Sequence, residues 1–317
     1  MMTRPDPDRP LRIGTRGSAL ALAQAHEVRD RLMAAHDLPQ SAFTIVPIKT
    51  TGDRILDRPL KEVGGKGLFT REIENALLQD GIDIAVHSMK DMPTIQPPGL
   101  IIDTILPRED VRDGFVSLKA EGLADLPSGS VIGSSSLRRR AQVILRRPDL
   151  QLVEFRGNVQ TRLKKLADGV ADATFLAIAG LHRLGLDDIA RNPIAPDDML
   201  PAIAQGAIGV ERRGDDDAVA ELLAAINCPT SFLRVAAERA LLAGLDGSCE
   251  TPIAGLAELT GDAMTGRLVL RGEVLRPDGS ARIAGMREGP ASDAVAMGAD
   301  LAREILERAP AGFLDFR

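Results

Sequence analysis

The sequence predicts an α/β protein: two α/β domains and a small C-terminal α+β domain with an antiparallel sheet. Three observations carry this expectation. The first 200 or so residues alternate short apolar runs with amphipathic stretches, which is the pattern of βα units around a mainly parallel sheet. Two segments, Pro107–Asp113 and Asn192–Pro196, break that alternation. From about Pro229 the texture changes to strand-like runs grouped between two helices, an α+β arrangement.

Taken in order, Leu11–Gly14 reads as a short strand, and Ser18 can cap a helix in which Leu22, Ala25, Val28 and Leu32 recur at helical spacing. A strand at Phe43–Ile48 leads into a polar, glycine-bearing loop, Thr50–Gly67. A helix over about Thr70–Gln79 and buried strands at Ile82–Val86 and Leu100–Leu106 follow. Beyond the first break, strands at Val131–Gly133, Leu150–Phe155 and Ala173–Ala177 each precede a helical pattern, beginning near Ser136, Asn158 and Ile178. Ile208–Val210 is a lone apolar run that adds a strand to one of the two sheets. The last part gives a helix at Phe232–Ala243, strands at Ile253–Leu259, Arg267–Leu275 and Ala281–Met286, and a helix over about Ala291–Ala309.

Composition narrows the function classes. A chain of 317 residues that is 44% apolar and 26% charged can bury a sizeable core. No apolar run approaches the roughly 20 residues that span a bilayer, and Met1–Pro10 has no apolar signal core, so a cytoplasmic location is expected. Two cysteines, Cys228 and Cys249, do not make a disulfide framework. The four histidines show no metal-ligand spacing, so no metal site is expected. The net charge of −6 argues against nucleic acid as a partner. Charge is nevertheless uneven: Arg138–Lys165 holds nine Lys or Arg against two acids, which points to a localised anion site.

The strongest local signal is Gly133-Ser-Ser-Ser-Leu-Arg-Arg-Arg140, where serines meet Arg138, Arg139 and Arg140 at a strand-to-helix junction. Cations in a first helical turn oppose the helix dipole, and a bound anion offsets that penalty through serine hydroxyls, free N–H groups and guanidinium forks. Arg156-Gly-Asn158 repeats the arrangement before a helix bearing Arg162, and both junctions belong at the carboxyl edge of a parallel sheet, where ligands bind. Arg16, after the first strand, faces the same way in the first domain. Asp91, in His87-Ser-Met-Lys-Asp-Met-Pro-Thr94, either caps the turn before Pro93 or stabilises a cation and shuttles a proton. Lys66 lies in a glycine-rich loop without nucleotide P-loop spacing. Cys249 sits in Asp246-Gly-Ser-Cys-Glu-Thr-Pro252, a polar turn on which a thiol is accessible and a positive cleft favours the thiolate.

These segments together resemble the porphobilinogen deaminase (hydroxymethylbilane synthase) family from Leu11 to at least Ala257. The resemblance rests on an ordered set: GTRGSALALAQA, TTGD, GGKGLF, DIAVHSMKDMPT, GSSSLRRRAQ, FRGNVQTRL, AIAGLHRLGL, LPAIAQGAIGVE, AERALL and GSCETPIAG. It implies two α/β domains similar to periplasmic binding proteins, joined by a double hinge, with the strand near Ile208 returning to the first. The implied domains are then 11–106 with 201–226, 107–200, and 227–317, the last carrying the cysteine. It further implies that Cys249 holds a covalent dipyrromethane cofactor by a thioether, one per chain, as primer. Four porphobilinogen molecules would be deaminated and joined, and hydroxymethylbilane released, by a monomer without membrane contact.

Asp91 would be the catalytic carboxylate in that scheme. Lys90, Ser135, Arg138 and Arg139 would hold the cofactor. Arg16, Ser18, Lys66, Arg156, Arg162 and Arg183 would hold the carboxylates of substrate and product, with Phe69 packed on a pyrrole ring. One departure stands out: Glu62 occupies a position where many relatives have lysine, and Lys61 is its nearest substitute. Two other readings compete. A two-domain anion-binding protein uses the same crevice but has no need of Cys249. Single-stranded nucleic-acid binding calls for aromatic stacking, yet the chain has no Trp or Tyr.

Overall fold

The structure is a computed structural model that describes residues 4–54, 67–189, 191–247 and 251–314. Compactness divides it into two units, Met1–Glu109 with Ala207–Phe232, and Asp110–Gly206 with Leu233–Arg317. No single helix among the described residues is long and apolar enough to cross a membrane.

The first unit begins with β1 (Leu11–Arg16), whose Leu11 and Ile13 are fully buried. Helix α1 (Ala19–His36) starts where the Ser18 hydroxyl accepts a hydrogen bond from Ala21 N at 3.2 Å, and it ends where Asp37 turns left-handed. Its Ala25, Val28 and Leu32 pack on the sheet, and each large aliphatic side chain buried there contributes about 1.5–3 kcal/mol. Strand β2 (Phe43–Ile48) runs parallel to β1. Helix α2 (Arg71–Leu78), β3 (Ile84–Ser88) and β4 (Leu100–Ile105) follow. Along β3, Ile84 and Val86 face the α1 core while Ala85 joins Ile73 and Leu77 of α2, so both faces of the sheet are covered.

In the second unit, β5 (Asp113–Ser117) opens a new sheet. The sequence marks Pro107–Asp113 only as a break, because the proline and the charges hide that Asp113 is already the first residue of a buried strand. Strand β6 (Val131–Gly133), α3 (Leu137–Arg146), β7 (Gln151–Val153), α4 (Val159–Ala167), β8 (Ala173–Ala177) and α5 (Ile178–Arg183) complete the series. The strand order is β5-β8-β6-β7, with β6 parallel to β7 and β8, and β5 antiparallel to β8. The Phe115 and Phe175 rings meet edge to face across β5 and β8, 6.0 Å between centroids.

The chain then returns to the first unit as β9 (Ile208–Arg213), which lies between β3 and β4 and is antiparallel to both, giving the order β2-β1-β3-β9-β4. Helix α6 (Asp217–Ala224) follows, capped by Asp216. Helix α7 (Pro229–Gly244) leads to an antiparallel sheet of β10 (Ile253–Thr260), β11 (Arg267–Leu275) and β12 (Arg282–Pro290), backed by α8 (Ala294–Arg308). The mixed α/β architecture and the antiparallel C-terminal sheet are those the sequence predicts.

Candidate active site

In the first unit the candidate residues sit beyond the carboxyl ends of β1 and β3. Arg16 closes β1, and its guanidinium lies over the Phe69 ring, 4.2 Å from the centroid. The ring fits there because residue 52 is glycine: a Cβ on Gly52 would come within 2.2 Å of the Phe69 edge. Phe69 is thus placed against a backbone on one side and a cation on the other, where the sequence reading puts a pyrrole on it. Ser18 caps α1 as an acceptor, a role compatible with its hydroxyl hydrogen donating to a carboxylate.

Lys90 and Asp91 occupy a single 3-10 turn, Met89–Asp91, directly after β3. Asp91 is exposed and Lys90 half-buried. The turn is held from below. Met89 N donates to Ala207 O at 3.0 Å, and Ser88 Oγ lies 2.8 Å from Gln24 Nε2. The Met89 side chain fills the space that a Cβ on Gly209 would need, with its sulfur 2.1 Å from that position. One residue further back, His87 Nε2 meets Glu211 Oε2 at 2.9 Å. Glu74 of α2 is buried nearby, and burial, with Glu211 adding to it, pushes its carboxyl above the usual range.

In the second unit the serine run turns inward. Ser135 Oγ accepts from Phe155 N at 2.9 Å, and Ser136 caps α3 by accepting from Arg139 N. Arg138 and Arg139, which the sequence reading gives to cofactor carboxylates, are 4% and 6% exposed and share the fully buried Asp113. Their Nη2 atoms each stand 2.7 Å from a different oxygen of that carboxylate. Burial works against the charge on Asp113, but the two guanidiniums outweigh it and hold the carboxyl well below the ordinary range. The Nη1 atoms donate to Leu200 O at 2.9 Å and Phe175 O at 2.7 Å. The two Nε atoms are buried with no hydrogen-bond partner. An unpaired buried donor costs about 1–3 kcal/mol, and a carboxylate is the group that complements it, so the pair fits an acidic cofactor.

The remaining cations sit at the next junctions. Arg156 follows β7, and Lys165 Nζ donates to its carbonyl at 3.0 Å. Arg162 Nε donates to Gly157 O at 2.9 Å, where Gly157 has φ +124 and Asn158 caps α4. Arg183, at the end of α5, donates to Gly206 O at 3.1 Å. Lys66 and Cys249 lie outside the described residues. The sequence reading missed Asp113, Gln205 and Glu211. A signal was available for Gln205 and Glu211, which stand in the mostly apolar run Leu200–Glu211 and must be paired when buried, whereas Asp113 follows a charged segment that masks it.

Fold and site together define an α/β protein that presents Arg, Ser and Asp at strand carboxyl ends. Family models describe residues 11–221 as a "porphobilinogen deaminase, dipyromethane cofactor binding domain" and residues 232–307 as the "porphobilinogen deaminase, C-terminal domain". The porphobilinogen deaminase of Paracoccus denitrificans is 71% identical over 316 residues, covering 100% of both chains. The chloroplastic porphobilinogen deaminase of Pisum sativum is 54% identical and covers 96% of this chain and 83% of its own. An arginine-specific periplasmic binding protein of Salmonella typhimurium aligns over 68% of this chain and 91% of its own, at 15% identity and a TM-score of 0.39. A periplasmic substrate-binding protein from Coxiella burnetii aligns over 72% and 96%, at 16% identity and a TM-score of 0.38. The chain belongs to the porphobilinogen deaminase family, the hydroxymethylbilane synthases of tetrapyrrole biosynthesis, and it carries that family's dipyrromethane cofactor-binding domain.

Proposed function

We propose that the chain condenses four porphobilinogen molecules head to tail with loss of ammonia, releasing hydroxymethylbilane, and that Asp91 is the catalytic carboxylate. The observation that supports this most is the setting of Asp91: an exposed acid on a turn whose backbone and neighbours are fixed by buried contacts. Ammonia leaves a substrate only after its nitrogen is protonated, and the C–N electron pair goes with it. The pyrrole nitrogen lone pair then supports the cationic carbon that remains. A carboxylate held beside that nitrogen stabilises the cation and accepts or returns a proton as the new carbon–carbon bond forms. Lys90, on the same turn, adds a cation for a substrate carboxylate.

The dipyrromethane supplies the primer on which the product grows, and Cys249 is its tether by thioether. Arg138 and Arg139 hold its acidic side chains through Nε, with Ser135 and Lys90 as further contacts. Arg16, Ser18, Lys66, Arg156, Arg162 and Arg183 receive the carboxylates of the growing product, and Phe69 offers a ring face. The reading includes a three-domain division at 11–106 with 201–226, 107–200 and 227–317, and the presence of three separate sheets supports it. A monomer in the cytoplasm, without nucleic-acid or membrane partners, completes the reading.

Denatured intact mass tests it. The expected result is a mass excess of two linked pyrrole units, lost together with activity in Cys249→Ser. An active enzyme of unmodified mass would overturn it.

A further inference from the structure

The Asp113 cluster has a charge and a geometry that a simple structural ion pair does not need. One carboxylate is divided between two guanidiniums, Oδ2 to Arg138 and Oδ1 to Arg139, so it fixes the spacing of the two forks. Gln205 Nε2 donates to Asp113 Oδ1 at 2.9 Å and to Val111 O at 2.8 Å, which anchors the carboxylate to its own strand entry. Each fork is also fixed in rotation by a main-chain carbonyl, Leu200 O or Phe175 O. Leu200 is itself held, through its N and O, by the Gln142 amide at 2.9 Å.

Each of the four Nη atoms therefore has a protein acceptor, whereas Nε on both arginines has none. Two buried cations on one carboxylate leave a positive charge in excess. Glu273, which also acts on Arg138, gives an oxygen to Arg282 on the neighbouring strand. A pair kept for stability alone is matched or bettered by apolar side chains of the same volume. A cluster that keeps two buried, unpaired donors and one surplus charge has the complement of an anion.

We propose that Asp113 is a positioning residue: it orients Arg138 and Arg139 so that their Nε–H donors meet a carboxylate of the dipyrromethane. This rests on the reading that those two arginines hold the cofactor. Asp113 touches neither substrate nor cofactor and acts through the guanidiniums alone.

The test compares purified Asp113→Glu, Asp113→Asn, Arg138→Lys and Arg139→Lys with the parent chain. Denatured intact mass gives the ratio of loaded to unloaded chains, and thermal unfolding gives the midpoint. Asp113→Glu keeps the charge and moves it by one methylene, so it is expected to unfold cooperatively while its loading ratio falls at least tenfold. Asp113→Asn is expected to lose at least as much loading. Parent-level loading in Asp113→Glu overturns the proposal whatever Asp113→Asn does, since charge without position then suffices. A lowered midpoint with unchanged loading also overturns it, because that is the signature of a purely structural pair. If Arg138→Lys and Arg139→Lys both load like the parent, the underlying assignment of the arginines fails instead. Should Asp113→Asn not fold, Asp113→Glu decides.

Discussion

His87 Nε2 and Glu211 Oε2 meet at 2.9 Å with side chains 5% and 0% exposed, which ties β3 to β9 four residues before Asp91. The other Glu211 oxygen is buried without a partner. The contact adds a side-chain tie to the backbone ladder that joins the two strands below the Lys90–Asp91 turn. Glu211→Ala leaves the imidazole without its acceptor and opens a cavity, and a loss of about 1–3 kcal/mol is expected. A fall in the urea midpoint at unchanged m-value is the measurement, and an unshifted midpoint would refute it.

Glu74 gives a pH signature. Its folded-state carboxyl titrates above the ordinary value, chiefly because it is buried. The folded protein then binds that proton more tightly than the unfolded chain does. The resulting stability is fully present below the ordinary glutamate value, about 4.3, and is lost as pH rises through the folded value. Glu74→Gln cannot titrate, so the difference in unfolding free energy between variant and parent should shift in the variant's favour as pH goes from about 4 to 7. A pH-independent difference counts against the assignment.

Gly209 and Met89 form a steric couple under the catalytic turn. Adding a Cβ at 209 forces the Met89 sulfur out of its seat, at about 1–3 kcal/mol for overpacking. Gly209→Ala should slow turnover by displacing Asp91, and Met89→Ala in the same chain should restore much of it. Steady-state kinetics on the two singles and the double give the coupling. Additive effects would show that the contact is not shared.

Asp91→Asn should lower kcat about 10²–10⁴-fold, the range of general acid–base contributions, while the unfolding midpoint stays near that of the parent because the side chain is exposed. Undiminished turnover would remove Asp91 from the chemistry.

Local structure was legible in the sequence where one element determines it. Apolar periodicity located α1, β2, β8 and β11, and Ser18 and Asn158 announced caps that the structure contains. The lone run at Ile208 could be read as a strand, but periodicity alone did not say which sheet receives it, since pairing joins residues about 100 positions apart. The site divides the same way. The arginines stood out by number, whereas their partner Asp113 did not, because a buried carboxylate reads as one more surface acid until its neighbours are known. Ser135 and Arg16 were legible as residues and not as contacts: one bonds a backbone N–H and the other stacks on Phe69.

Strand β9 sets a timetable for the ribosome. Strands β3 and β4 do not pair with each other, and each meets only β9 on the side that faces the other. Translation at ~5–20 residues per second needs roughly 5–20 s to travel from the end of β4 to β9. Over that interval the nascent first unit is a three-stranded fragment with an open edge along β3, beside a detached β4. Until β9 is made, the open β3 edge is available to pair with another chain, so the first unit is exposed to aggregation during synthesis and not after it.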